Sequence, residues 1–169
     1  MRAIDVRELL ERPGSSRSVH VEEPVAGLRT ELADVPDDAP IEGDLTLEAV
    51  SEGIYLTGRL QGRYSMRCAR CLKEFSREFD LEMAELVPRD AGPEDDYAIA
   101  SDLTLDPEPI VRDAVVLEMP FSPLCRPDCL GLCEICGGDR NLGECPGHEA
   151  TDPRWAGLDA FRFDDDEAE

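Results

Sequence analysis

The sequence predicts an α+β fold: a mostly antiparallel β-sheet with one packed helix and a C-terminal zinc-knuckle segment. Three observations lead there. Residues 54–67 alternate strictly between apolar and polar types, which is the period of a half-buried strand. Asp106-Pro107-Glu108 opens a stretch with helical spacing of apolar residues. Seven cysteines, at positions 68, 71, 125, 129, 133, 136 and 145, are crowded at two- and three-residue spacings.

Asp5 to Leu10 reads as a short helix with Asp5 as N-cap and Leu9 and Leu10 turned inward, stopped by Pro13-Gly14. Ser18 to Glu23 alternates as a strand. Ala33 to Pro40, with two prolines and three aspartates, reads as a linker or long turn. Leu45, Leu47 and Ala49 share one strand phase before a turn at Glu52-Gly53. Ile54, Leu56, Gly58, Leu60, Gly62, Tyr64 and Met66 then form an inward row, bent at Gly62, while Tyr55, Thr57, Arg59, Gln61, Arg63, Ser65 and Arg67 form the wet row. Cys68-Ala69-Arg70-Cys71 sits at the turn, and Phe75, Phe79, Leu81 and Met83 return. Arg77 falls in the apolar phase of the return strand, which predicts a bulge or register change.

Asp106 is placed to cap a helix over about 107–118, with Ile110, Val111, Ala114, Val115 and Leu117 as its packing stripe. Pro120 and Pro123 end it. A last short helix from Asp152-Pro153 would carry Trp155, Leu158 and Phe161, ahead of an acidic tail over 164–169. The division expected is 1–120 for the sheet and helix core, 121–150 for the cysteine-rich metal-knuckle segment, and 151–169 for the short helix and tail.

With 39 acids against 17 lysines and arginines, the formal net charge is -22. That argues against a generic polyanion binder, which needs surplus cations to neutralise phosphates, and against docking on an anionic membrane. The first eight residues carry charges where a signal peptide has its apolar stretch, so the expected location is cytoplasmic. In a reducing compartment an odd set of clustered thiols reads as metal ligands rather than disulfides.

Zinc takes four soft or borderline ligands in a tetrahedron, and a C-x2-C pair followed by glycine can aim backbone amides at its thiolates. Cys133-Glu134-Ile135-Cys136-Gly137 has that form, and Cys68-x2-Cys71 is a second pair at a hairpin turn. With His148 the chain offers eight ligands, the number that two tetrahedral sites use; one or two zinc ions are expected. By chain distance, Cys133, Cys136, Cys145 and His148 form a local site, and Cys68 and Cys71 reach across to Cys125 and Cys129. The rival partition joins Cys125, Cys129, Cys133 and Cys136, and leaves Cys68 and Cys71 alone or with Cys145 and His148. Closed, sulfur-rich sites are structural, so a zinc- or thiol-dependent enzyme is the alternative rather than the first reading.

Six of the 17 cations fall between positions 59 and 77, with Glu74 the one acid in that interval. Arg59, Arg63 and Arg67 share a strand face, with Arg70 and Lys73 beside the first knuckle. The strip suits RNA phosphates or an acidic partner, and equally suits simple pairing with the surrounding acids.

Arg67-Cys68-Ala69-Arg70-Cys71 after a long strand, a proline-started helix, Pro123-Leu124-Cys125-Arg126-Pro127-Asp128-Cys129-Leu130-Gly131-Leu132-Cys133-Glu134-Ile135-Cys136-Gly137, and the ending Asp152-Pro153-Arg154-Trp155-Ala156-Gly157-Leu158 together resemble the bacterial YceD family. These are the large ribosomal RNA subunit accumulation proteins, found also in plastids. The resemblance covers nearly the whole chain and is most specific in the cysteine stretch. It implies a non-enzymatic role in accumulation or processing of large-subunit ribosomal RNA, with the RNA precursor or a basic ribosomal protein as partner. No small-molecule substrate is evident, and the family supplies no catalytic residues. An acidic adaptor that binds a basic ribosomal protein without touching RNA is a further alternative.

Overall fold

The computed structural model describes residues 1–148, in two compact units, Met1–Cys129 and Leu130 onward. The first unit holds Cys125 and Cys129 together with the sheet. The helix expected from Asp152 and the acidic tail lie outside the described residues.

In the first unit, β1 (Ile4–Asp5) leads into α1 (Arg7–Leu10), followed by β2 (Ser16–Pro24), β3 (Ala33–Asp34), β4 (Pro40–Ala49), β5 (Gly53–Arg67) and β6 (Glu74–Pro88). Then come β7 (Thr104–Leu105) and α2 (Glu108–Glu118). Every strand pairing is antiparallel. β1 pairs with β7 as a small ribbon, while β2, β4 and β5 lie in that order with β6 on the far side of β5. No helix among the described residues is long and apolar enough to cross a membrane.

β5 is the spine. Its inward row, Ile54, Leu56, Leu60, Tyr64 and Met66, is buried, and the same alternation buries Ile41, Leu45, Leu47 and Ala49 on β4. α2 closes the inward face with Ile110, Val111 and Val115, and the Tyr64 hydroxyl donates to the Val115 carbonyl at 3.3 Å. That burial pushes the Tyr64 phenol up to about 12.

Several expectations are corrected by packing. The bulge at Arg77 does not form: β5 and β6 keep one register from Gly53↔Pro88 to Arg67↔Glu74. Arg77 keeps the inward phase opposite Tyr64, between Phe75 and Phe79, yet its side chain is exposed and its guanidinium reaches the Leu124 carbonyl at 3.5 Å and lies 6.0 Å from the Phe75 ring centroid. Gly62 leaves a space. Phe79 lies opposite it and stacks on Tyr64 with ring centroids 4.4 Å apart, so a Cβ on Gly62 would stand 2.5 Å from the Phe79 ring.

Leu117 is 83% exposed, since six residues past Val111 the helix has turned it away from the packed face. Asp5 does not cap α1 as N-cap; it lies in β1 and accepts from the Arg7 amide at 2.9 Å, and Leu10 is only half-buried. Asp106 does accept from the Glu108 amide, at 3.0 Å. The stretch 33–40, expected to be a linker, contributes β3, which pairs with Ser65 and Met66; Ala33 in it and Val35 just after it are buried.

Gly62→Ala should therefore destabilise the first unit by about 1–3 kcal/mol through overpacking against Phe79. Combined with Phe79→Val, the two costs should be less than additive, because the smaller side chain vacates the contested space. Denaturant unfolding of the single and double variants tests both statements.

Candidate metal centres

β5 and β6 are joined by Cys68–Lys73, which turns the chain within six residues. The turn is built by backbone contacts. The Leu72 amide donates to the Cys68 carbonyl at 2.9 Å, and the Cys68 amide donates to the Lys73 carbonyl at 2.9 Å. Leu72 takes the left-handed conformation, φ 60°. In the second unit Gly137 donates to the Cys133 carbonyl at 2.8 Å and Cys133 donates to the Gly138 carbonyl at 2.9 Å, with Gly137 at φ 72°. The offsets from the first cysteine are identical, so the two C-x2-C pairs form the same knuckle. Sequence reading recognised the glycine in one and missed that Leu72 holds the equivalent place in the other.

A second stretch docks on the first knuckle. The Ala69 amide donates to the Pro123 carbonyl at 2.8 Å, and the Arg70 guanidinium donates to the Cys129 carbonyl at 2.8 Å. These contacts bring Cys125 and Cys129 to Cys68 and Cys71. The eight expected donors thus form two groups, Cys68/Cys71/Cys125/Cys129 and Cys133/Cys136/Cys145/His148. Within each group all ligand atoms lie within 4.8 Å of one another. Of the two partitions open in the sequence, this is the one that follows chain distance.

The first group has the dimensions of a metal tetrahedron. A metal–sulfur distance of about 2.3 Å implies sulfur–sulfur edges of about 3.8 Å; Cys68 and Cys129 stand 3.8 Å apart and Cys71 and Cys125 3.7 Å. A disulfide would need about 2.05 Å, and all seven cysteines are free thiols.

Electrostatics point the same way. Burial pushes the Cys68 thiol up, but backbone amides of Cys125, Cys71 and Arg70 and the Cys71 thiol outweigh it and bring the group to about 6. Burial and the neighbouring sulfurs drive Cys125 up to about 12. In the second group the amides of Cys136 and Ile135 bring Cys133 to about 7. Cys145 is raised: the Gly147 backbone pulls it down, but its hydrogen bond with Cys133, burial and the other thiols outweigh that. One thiolate suppresses the ionisation of its neighbours, because like charges this close repel. A divalent, thiol-preferring cation removes that conflict, so both donor sets fit a metal.

The two sites differ in enclosure. Cys68 and Cys129 are fully buried in the first, whereas Cys136 and His148 are exposed in the second.

The basic strip is placed as follows. Arg59, Arg63 and Arg67 project from the wet face of β5, each beside an acid of β6. Arg59 grips Asp80 with two bonds of 2.6 and 2.8 Å, Arg63 meets Glu78 at 3.4 Å and Arg67 meets Glu74 at 3.9 Å. Arg59 holds the Asp80 carboxyl below its ordinary range. Arg70 braces the first knuckle, and Lys73 is exposed beside it. The acids of β6 lie mostly beyond the interval in which the strip looked unbalanced, so the hairpin register was needed to reveal them. His20 bonds Asp44 across β2 and β4 at 2.9 Å.

If the knuckles are equivalent, their left-handed positions should respond oppositely to substitution. Leu72→Gly removes a strained conformation and should leave stability unchanged or raise it by up to about 1 kcal/mol, whereas Gly137→Ala should cost about 1 kcal/mol. Thermal unfolding of each unit measures the pair; a large loss in Leu72→Gly would refute the equivalence.

A family model described as large ribosomal RNA subunit accumulation protein YceD matches residues 56–162, a span that contains all eight donors. An uncharacterized protein of Mycobacterium tuberculosis is 39% identical over 92% of this chain and 78% of its own length. One of Mycobacterium leprae is 32% identical over 91% and 74%, and the uncharacterized protein YlbN of Bacillus subtilis is 26% identical over 80% and 82%. No solved structure matches. On the span of the family match and the identity to these relatives, the chain belongs to the YceD family.

Proposed function

We propose that this protein is a non-enzymatic, cytoplasmic ribosome-biogenesis factor that supports accumulation of large-subunit ribosomal RNA, with zinc in both cysteine sites. The observation that carries the reading is the family match, whose description names that RNA and whose span includes every donor. Zinc suits three or four thiolates with at most one imidazole at these spacings. When bound, it would fix both knuckles, in the first site by joining segments distant in sequence. Full use of four protein donors leaves no open coordination position, which supports a structural rather than a catalytic metal.

The partner is either the large-subunit RNA precursor or a basic ribosomal protein. Pairing of Arg59, Arg63 and Arg67 with β6 acids favours the protein-mediated route, because phosphate contact by this strip would compete with three existing ion pairs. Such exposed pairs are weak, so RNA contact stays testable.

Two measurements address the proposal. Elemental analysis should find two zinc ions per chain. Cys129→Ser should lose one and lower the melting temperature of the first unit; Cys136→Ser should lose one and leave that transition in place. Metal-free protein with an undisturbed melting curve would remove the zinc argument. For the partner, ultraviolet crosslinking in cells should enrich large-subunit precursor or recover a ribosomal protein. If the arginine strip touches single-stranded RNA, changing Arg59, Arg63 and Arg67 together to Gln should lower the salt slope by about 0.7 per lost contact. An unchanged slope in folded protein excludes RNA contact at this face.

A further inference from the structure

β6 is a fifteen-residue strand that pairs along its whole length with β5 and forms one edge of the sheet. Apart from that ladder, no backbone hydrogen bond involves Glu74–Pro88 among the described residues. Half of the strand's amides and carbonyls therefore face outward without a backbone partner, which is a template for another strand.

Exposed edges of this length usually carry a bulge, a proline or an inward-pointing charge that blocks pairing. β6 keeps one register throughout and has no proline before Pro88. Its inward-phase charges, Arg77 and Glu85, lie toward the ends, so the stretch 78–84 is unblocked. The wet-face row at the edge reads Glu74, Ser76, Glu78, Asp80, Glu82, Ala84 and Leu86, all exposed. It is acidic along most of its length and apolar at one end, where Leu86 sits opposite Tyr55.

Charge selects the occupant. A second copy pairing antiparallel through β6 would set Glu78, Asp80 and Glu82 against one another, and like charges at cross-strand positions repel. A chain of net charge -22 adds to that penalty. RNA offers no ladder of amides and carbonyls and is itself anionic. We propose that the outer edge of β6 accepts an extended, lysine- or arginine-rich peptide segment of a partner protein as an added strand. Main-chain bonds would supply affinity, and alternate basic side chains beside Glu82, and beside Glu78 and Asp80 in exchange with their exposed pairs to Arg63 and Arg59, would supply selectivity. The inference rests on reading the chain as a partner-binding protein and names the surface it uses.

The test uses the full chain and three synthetic ten-residue peptides: alternating lysine and valine, alternating glutamate and valine, and the lysine peptide N-methylated at alternate amides. N-methylation keeps the charge and removes strand addition. The lysine peptide should slow amide exchange within 74–88 by at least about tenfold, and N-methylation or the glutamate sequence should weaken binding at least about tenfold. Glu78→Gln/Glu82→Gln, checked for folding by circular dichroism, should weaken it too. Equal binding of the N-methylated peptide, protection located elsewhere, no binding at millimolar peptide, or protection of the same amides by single-stranded RNA would overturn the proposal. Co-sedimentation of the chain with large-subunit particles separates the two readings. Particle association without peptide binding overturns the edge alone, whereas peptide binding without particle association overturns the ribosomal role.

Discussion

Most of the first unit depends on the uninterrupted pairing of β5 with β6. Fifteen residue pairs in a single register fix which side chains face the core, which face water, and where the chain reverses. Because side chains alternate with period two, a slip of one residue would expose Leu56, Leu60 and Met66 and bury the arginine row. The stack of Phe79 on Tyr64 over the open space at Gly62 holds that register midway along.

The same pairing positions the first candidate metal centre. The hairpin reverses at Cys68–Lys73, so strand register sets where two thiols emerge, and backbone bonds to Pro123 and Cys129 bring the other two. The second centre needs no such scaffold. Its donors lie within sixteen residues of chain, and a knuckle of the same hydrogen-bond pattern is enough to orient the first pair. This difference accounts for the burial of one site and the exposure of the other.

Charge is arranged with equal economy. An acidic chain places its main basic cluster on one strand and the matching acids on the neighbouring strand, so the wet face is locally balanced while the molecule stays strongly negative. Screening by salt leaves the balance weak and exchangeable.

The sequence by itself determined the strand alternation of residues 54–67, the helix after Asp106, and the donor types and spacings of both cysteine groups, because these are local signals of period, capping and ligand chemistry. Tertiary structure decided what depends on neighbours across space. Arg77 needed no bulge because its guanidinium stays exposed and meets the Leu124 carbonyl, a partner 47 residues away; Gly62 serves a ring from the adjacent strand; β3 exists because β5 offers it a free edge at Ser65 and Met66. It also decided the grouping of eight donors into two fours. Spacing favoured that partition, but Cys68 and Cys125 are brought together by hydrogen bonds between segments more than fifty residues apart, and no local pattern records such a contact.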